Sequence, residues 1–163
     1  MNSSVRLQPL SDADVIAIRQ WPPYPERLHD LDYALRAGGW LDEFPASPRT
    51  YRFGAWHIDK LVGFSLLTDL ADGAAEFYIA LHPHAIGDGI GKMITEATLD
   101  IGFKQLGLHR IYLKVRDWHT RGKALYEHVG FKTFGSHAQN VNGKTVNFFD
   151  MEIFAAKNAA ELQ

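Results

Sequence analysis

Residues 75–92 read Ala-Glu-Phe-Tyr-Ile-Ala-Leu-His-Pro-His-Ala-Ile-Gly-Asp-Gly-Ile-Gly-Lys, and this stretch decides the fold. Its first half is apolar, as in a buried strand, and glycines at 87, 89 and 91 precede an apparent helix. Glycine lets a backbone approach a ligand closely and adopt positive φ. The first N–H groups of a helix lack internal partners and carry partial positive charge. A strand, a glycine loop and a helix start therefore predict a phosphate site.

Two common phosphate loops do not fit this spacing. A dinucleotide loop that starts at Gly87 would need glycine at position 92, which is occupied by Lys92. A P-loop that ends at Gly91-Lys92 would need glycine at Ile86 and a hydroxyl residue at Met93. Both loops usually follow the first strand of a parallel sheet, whereas several apparent strands precede this one. A nucleotide-binding module unrelated to acyl-CoA therefore stays as a third, disfavoured hypothesis.

A second informative stretch is 110–131, Arg-Ile-Tyr-Leu-Lys-Val-Arg-Asp-Trp-His-Thr-Arg-Gly-Lys-Ala-Leu-Tyr-Glu-His-Val-Gly-Phe. Ile111, Leu113 and Val115 alternate with polar residues, which predicts a strand. A polar stretch and a short helix follow, and Gly130 stands where a helix commonly ends.

Together the two stretches resemble the GNAT superfamily of acyl-CoA-dependent N-acetyltransferases. That family's pyrophosphate loop reads Gln/Arg-x-x-Gly-x-Gly/Ala, after a strand that often carries Ala-Glu and closes near His-Pro. Its second signature reads Asn-x-x-Ala-x-x-Leu-Tyr-Glu-x-x-Gly-Phe. This sequence departs from the two signatures at three positions, with Ile86 for Gln or Arg, His119 for Asn and Gly122 for Ala. The matching residues are Glu76, His82, Pro83, Gly89, Gly91, Leu125, Tyr126, Glu127, Gly130 and Phe131.

The whole pattern predicts an α+β fold. The predicted order is a strand (5–10), two helices (12–20 and 26–37), three strands, a helix, a strand, a helix and a final hairpin around Asn142-Gly143. The resemblance implies a mixed, mostly antiparallel seven-stranded sheet with about four helices. It also implies that the strands on either side of the glycine-loop helix splay apart at the acyl-CoA site. We assign 1–154 to a single acyl-CoA N-acyltransferase domain and 155–163 to a C-terminal tail.

The composition limits the cellular location and the binding partners that we expect. No apolar run reaches the roughly 18 residues of a membrane span, and no secretory signal is visible. The chain has no cysteine and a net charge of −2, so it shows neither disulfides nor the basic surface of a nucleic-acid binder. We expect a cytoplasmic protein with no membrane or nucleic-acid partner. His82, His84 and His119 suggest a metal site, but no carboxylate lies at ligand spacing, so we expect no metal.

The resemblance implies that an amine attacks an acetyl thioester directly in a ternary complex. An alkylamine with a pKa of about 10.4 is mostly protonated at pH 7, so a base lowers the barrier. Glu76 is the candidate base, either alone or through ordered water, and Tyr126 is the general acid for the departing thiolate. Acetyl-CoA is the expected co-substrate. The predicted cofactor-binding residues are Ala80, Leu81, Ile86, Gly87, Asp88, Gly89, Ile90, Gly91, Lys92 and His119.

The acceptor site is predicted from aromatic and acidic residues in the first two helical regions. Aromatic faces beside acids suit a cationic amine, although the same residues also suit a core and a solvated helix face. The patterns nearest to this one are ribosomal-protein N-terminal acetyltransferases and spermidine-type acetyltransferases, so the acceptor is a small-molecule amine, a polyamine or a protein N-terminus. A homodimer is possible. The alternative is a catalytically inactive acyl-CoA-binding sensor, which the departures at 86 and 119 favour. The predicted substrate-binding residues are Trp21, Tyr24, Glu26, Asp30 and Trp40.

Overall fold

A computed structural model describes residues 5–156, which form a single seven-stranded sheet with helices on both faces. The strands are β1 (Arg6–Pro9), β2 (Tyr51–His57), β3 (Lys60–Ala71), β4 (Ala74–Leu81), β5 (Arg110–Arg116), β6 (Lys132–Val141) and β7 (Lys144–Phe154). They lie in the order β1-β2-β3-β4-β5-β7-β6. Only the pair β4–β5 is parallel within the described residues. The predicted α+β class and the mostly antiparallel sheet are confirmed.

Four α-helices lie in the described part of the chain, namely α1 (Asp12–Arg19), α2 (Trp40–Glu43), α3 (Ile90–Asp100) and α4 (Thr120–Val129). The predicted start of α1 is confirmed by its capping pattern. The Asp14 N–H donates to Ser11 Oγ at 3.0 Å, and the Ser11 N–H donates to the Asp14 carboxylate at 3.0 Å. This reciprocal pair satisfies two N–H groups at the helix start.

The predicted helix over 26–37 is present with slightly shorter bounds. Glu26–Leu35 is a 3-10 helix, and Pro25 before it offers no capping side chain. Tertiary hydrogen bonds hold this segment instead. The Arg36 guanidinium donates to the Asp32 carboxylate at 2.8 and 2.9 Å and to the backbone carbonyls of Arg19, Trp21 and Pro22. The short helix α2 was not predicted, because four residues give too little helical periodicity.

Two core regions lie on opposite faces of the sheet. Odd positions of β4, such as Ala75 and Phe77, pack on the face covered by α3 and α4. Even positions, Tyr78 and Ala80, pack on the face covered by α1, the 3-10 helix and α2. Because side chains alternate along a strand, β4 contributes to both cores at once. Strands β4 and β5 therefore lie between the two core regions.

The parallel pairing of β4 and β5 is short. It joins Ala74 to Arg110, Ala75 to Ile111 and Glu76 to Tyr112, after which β4 continues to Leu81 and β5 to Arg116 without pairing to each other. Strand β5 stays paired with β7 as far as the pair Arg116–Phe148. The predicted splay is therefore present and opens a gap in the middle of the sheet.

The C-terminal hairpin is confirmed, with positive φ at both Asn142 (53°) and Gly143 (83°), as a type I′ turn requires. The boundary between the domain (1–154) and the tail (155–163) stays a prediction, and residues 157–163 lie outside the described part. Within residues 5–156, no helix has the length and apolar character to cross a bilayer. The same residues include no group of three or more His, Cys, Asp or Glu placed to hold a metal ion.

Candidate active site

A cavity of about 670 Å³ begins at the glycine loop and continues through the gap between β4 and β5. This volume lies within the ~300–1,000 Å³ that small-molecule sites occupy. Its wall includes the glycine loop at one end, Tyr126 from α4, and aromatic residues of the 3-10 helix and α2 at the other. Among the predicted cofactor residues, the cavity wall contains Ala80, Leu81, Ile86, Gly87, Gly89, Gly91 and His119.

The glycine loop has the backbone that the sequence predicts. Gly87 (φ 95°) and Gly89 (φ 78°) adopt positive φ, and Gly89 is the N-cap of α3. An ideal Cβ at Gly89 would meet no atom within 4 Å, so the space above the helix start is open. Helix α3 is long enough for its first N–H groups to carry useful positive potential toward that space.

Arg121 places a cation beside the glycine loop, where Ile86 offers no polar side chain. It lies in the first turn of α4, and its Nη2 is 3.3 Å from the position of an ideal Cβ at Gly87. It also contributes to the cavity wall. A guanidinium beside the loop supplies the cationic hydrogen-bond donors that an anion needs. The sequence reasoning missed Arg121, because no motif marks a cation contributed from a different helix.

His119 and Gly122, both departures from the family signature, contact each other. An ideal Cβ at Gly122 would lie 2.5 Å from Cδ2 of the His119 ring. The larger side chain at 119 therefore needs the smaller residue at 122. Burial lowers the pKa of the His119 imidazole, and the nearby cations Arg116, Arg121 and Arg27 act in the same direction.

The strand geometry decides which backbone groups of β4 face the gap. The His82 N–H donates to the Val62 carbonyl at 2.8 Å, and β4 and β3 stay in one register from Leu81 back to Glu76. Because hydrogen-bonded pairs alternate along antiparallel strands, Ala80 bonds toward β3, whereas Ile79 and Leu81 point their backbone groups at the gap. The Leu81 carbonyl accepts the Tyr24 hydroxyl at 2.6 Å. The N–H groups of Ile79 and Leu81 are thus better oriented than that of Ala80 to donate into the gap.

Tyr126 lies on α4 and is part of the cavity wall. Its ring packs edge-on against Phe77 at 6.4 Å and Phe131 at 5.9 Å between centroids. Burial raises the pKa of its phenol well above the ordinary value. Its hydroxyl therefore stays protonated over the neutral pH range.

Glu76 lies at the start of the gap in an ion pair. Its Oε2 is 3.0 Å from Lys114 Nζ, and the same ammonium donates to the Tyr78 hydroxyl at 2.7 Å. The side chains of Glu76 and Lys114 are 15% and 19% exposed, so water screens this pair only weakly. Burial and the Glu76 charge raise the pKa of Tyr78. Lys114 is in the cavity wall, and Glu76 stands behind it.

The predicted acceptor residues are only partly brought together. Tyr24 and Trp40 belong to the cavity wall, as do Tyr33 and Glu43. Trp21 is buried in the core, 4.9 Å from the His82 ring between centroids, because its indole covers the α1 face of the sheet.

Other predicted residues lie away from the cavity wall. Glu26 is exposed at the first position of the 3-10 helix, and Asp30 faces Arg116 instead. Ile90 is buried in a third core cluster with Ala85. Asp88 and Lys92 also lie outside the cavity wall, so any contact they make with the cofactor stays a prediction.

The chain matches the acetyltransferase (GNAT) family over residues 14–131. It belongs to that family. A glycine loop at a helix start, a splayed strand pair and a tyrosine on the following helix are the features that the family resemblance implied, and here they surround one cavity.

Two curated proteins are similar in sequence to part of this chain. Over 72 residues it is 39% identical to the mycothiol acetyltransferase of Beutenbergia cavernae, a match that covers 44% of this chain and 23% of that protein. Over 89 residues it is 32% identical to the spermidine N(1)-acetyltransferase of Escherichia coli K12, with 53% and 48% covered. The matches span less than half the length of either relative.

A solved structure shows the same fold over nearly the whole chain. It is the spermidine N-acetyltransferase of Vibrio cholerae in complex with CoA and spermine, with a TM-score of 0.74 and 24% identity. The match covers 94% of this chain and 96% of that one. The likeness supports the sheet order and the splay described above.

Proposed function

We propose that this protein is an acetyl-CoA-dependent N-acetyltransferase that acetylates a primary amine, either a small-molecule amine such as a polyamine or a protein N-terminus. The observation that carries the proposal is the continuous cavity, which has an anion-binding glycine loop at one end and Tyr126 beside the strand gap. The amine attacks directly, with both substrates bound. The spermidine N(1)-acetyltransferase relative and the neighbour bound to CoA and spermine support an amine acceptor.

The residues present fit the phosphate end of acetyl-CoA. The open space over Gly89, the N–H groups at the start of α3 and the Arg121 guanidinium form a cationic cradle. The backbone groups of Ile79 and Leu81 are oriented to hold an extended amide-bearing arm, as an added strand would be held. When bound, acetyl-CoA supplies the acetyl group as a thioester.

Tyr126 acts as the proton donor in this proposal. Its raised pKa keeps the phenol protonated at neutral pH, and its packing against Phe77 and Phe131 fixes its position. The phenol hydrogen-bonds to the sulfur and gives it the proton as the carbon–sulfur bond breaks, and the proton that the amine loses on attack restores the phenol. The N–H of Leu81 or Ile79 polarises the thioester carbonyl as an oxyanion site would.

Glu76 is proposed to assist removal of the acceptor's proton. Its ion pair with Lys114 gives it a second possible role, which is to position that ammonium in the cavity wall. The two roles make different kinetic predictions, which are treated below.

An inactive acyl-CoA sensor is the second candidate, because Ile86 and His119 depart from the family signature. The test is a thiol-release assay with acetyl-CoA and a panel of polyamines, aminoglycosides, amino acids and N-terminal peptides. Turnover with any amine supports the proposal. Tight acetyl-CoA binding by calorimetry, without turnover on any amine, supports the sensor.

A further inference from the structure

Arg116 is a buried cation whose role the proposed chemistry leaves open. It ends β5 at the splayed edge, its side chain is only 8% exposed, and it belongs to the cavity wall. Its guanidinium carbon lies 5.9 Å from the Tyr33 ring and 6.0 Å from the Phe148 ring. These two aromatic rings keep the guanidinium at the cavity and limit its contact with water.

The nearest acidic partner of Arg116 is not close. Asp30 Oδ2 is 4.0 Å from Arg116 Nη1, which is beyond hydrogen-bond distance, and the Asp30 side chain is 48% exposed. Two other arginines show what a closed pair looks like in this protein. Arg36 bonds the Asp32 carboxylate at 2.8 and 2.9 Å, and Arg110 bonds Glu152 at 2.8 Å. A buried charge is usually paired at such distances, and among the described residues Arg116 has no acid that close.

The charges around the cavity do not match a polycation. Its wall includes Lys114, Arg116 and Arg121, whereas Glu43 is its acidic member among the described residues. The acids predicted to bind a cationic acceptor lie outside the cavity wall, since Glu26 is exposed to solvent and the half-exposed Asp30 lies beside Arg116. Lys114 is already neutralised by Glu76. The charges left over on the acceptor side of the cavity wall are therefore those of Arg116 and Glu43, one of each sign.

We propose that Arg116 binds a carboxylate of the acceptor, so that the acceptor is an amine that also bears a carboxylate, as an amino acid does. This inference rests on the proposed function and narrows its substrate class. The planar guanidinium fork matches a carboxylate with two parallel hydrogen bonds. A phosphate dianion would call for a second unpaired cation, which Lys114 does not supply because Glu76 neutralises it.

Arg116 also has a purely structural reading, in which it ties the 3-10 helix to β5 through Asp30. That reading predicts that its loss lowers stability and slows every acceptor equally. Binding of a carboxylate predicts instead that its loss changes the ratio between matched acceptors that differ by one carboxylate. The ratio is therefore the informative measurement.

The experiment compares amino acids with the amines left by their decarboxylation, such as lysine with cadaverine, ornithine with putrescine, and histidine with histamine. Values of kcat/KM are measured for the wild-type protein, Arg116→Met and Arg116→Lys. We expect the wild type to prefer the acid-bearing member of a pair by about 10- to 100-fold, the value of a charge-assisted hydrogen bond. Arg116→Met should bring that ratio close to unity through KM, and Arg116→Lys should restore part of it.

Arg110→Met is the matched control, because Arg110 lies on the same strand outside the cavity wall and is paired with Glu152. It should keep the wild-type ratio. A wild-type preference for the decarboxylated amines, or an unchanged ratio in Arg116→Met, overturns the inference and leaves the acetyltransferase proposal intact. Absence of turnover with any amine in the panel overturns both.

Discussion

The imidazole ring of His119 occupies the space that a Cβ at residue 122 would need, with Cδ2 2.5 Å from that position. Two residues that depart from the family signature are thus coupled, and each makes sense only with the other. Arg121 Nη2 lies 3.3 Å from the position of an ideal Cβ at Gly87, next to Ile86, which stands where the family usually has Gln or Arg. The accommodation of His119 by Gly122 favours a working site over a degraded one.

The first prediction concerns this coupling. Gly122→Ala should destabilise the protein by about 1–3 kcal/mol, because overpacking displaces the His119 ring. In the His119→Asn background the same change should cost much less, since the smaller side chain leaves room for a methyl group. Urea unfolding of the two single variants and the double variant gives the coupling free energy. Additive effects of the two changes would show that the ring and the methyl group do not compete for space.

The second prediction concerns Arg121. Arg121→Met should weaken CoA binding by about 10- to 100-fold, because it removes a charge-assisted contact to phosphate. Adding Ile86→Arg to this variant should recover much of the lost affinity. N-acetylcysteamine, a thiol ligand that lacks phosphates, should bind the wild type and the variants with equal affinity. Calorimetry measures each affinity. Lys123→Met serves as control, because Lys123 lies on the same helix and pairs with Glu127. Equal losses in Arg121→Met and Lys123→Met would argue against a specific phosphate contact.

The third prediction concerns the open space above α3. Gly89→Ala and Gly107→Ala carry the same backbone strain, because the two glycines have φ of 78° and 69° and neither Cβ would meet an atom within 4 Å. Each should cost about 1–2 kcal/mol of stability. Only Gly89→Ala should also reduce affinity for CoA, since Gly107 lies outside the cavity wall. Titrations of both variants decide the point, and equal affinities would move the phosphate away from Gly89.

The fourth prediction separates the two roles of Glu76. Glu76→Gln should destabilise the protein by about 1–3 kcal/mol, because it leaves the Lys114 ammonium in a half-buried site without its partner. If Glu76 assists deprotonation, the rise of kcat/KM with pH should become flatter in this variant. Lys114→Met removes the other half of the pair and keeps the carboxylate. A pH–rate series in which both variants retain the wild-type lower limb would leave Glu76 with a positioning role.

The fifth prediction concerns Tyr126. Tyr126→Phe should lower kcat by roughly 10²–10⁴ with little change in CoA affinity or stability, because the ring keeps its packing and loses only the hydroxyl group that donates the proton. Since burial raises the pKa of the phenol, the group stays protonated as pH rises past about 10, its ordinary value. The wild-type kcat should therefore show no loss from Tyr126 ionisation below that pH. Full turnover in a folded Phe variant would return Tyr126 to a packing role.

The sequence predicted the strands and the glycine loop because each has a local signal, whereas the seven-stranded sheet and its splay were implied by the family resemblance. Strand alternation, a glycine run and an Asn-Gly turn can all be recognised within a few residues. It did not predict the 3-10 form of Glu26–Leu35, because the hydrogen bonds of Arg36 to distant carbonyls override local periodicity. The contribution of Arg121 to the loop depends on the packing of two helices and leaves no trace in either stretch.

The acceptor side was the hardest part to predict. Trp21 was predicted to bind the acceptor because it is aromatic. It is instead a core residue, because its indole packs against one face of the sheet. Lys114 and Arg116 did leave a signal. They alternate with Leu113 and Val115 along β5, so they must point to the opposite face from the α4 core. Because both residues lie on β5 beyond its last pairing with β4, their side chains line the cavity.

The central claim is that this protein transfers an acetyl group to an amine, and mass spectrometry of the product tests it most directly. The wild-type protein and Tyr126→Phe are incubated with acetyl-CoA and the amine panel, and acetylated amine and free CoA are both quantified. The account predicts one acetylated amine for each CoA released by the wild type, with formation at least about 100-fold slower in Tyr126→Phe. A wild-type protein that binds acetyl-CoA and yields no acetylated amine, or releases CoA by hydrolysis alone, would contradict it.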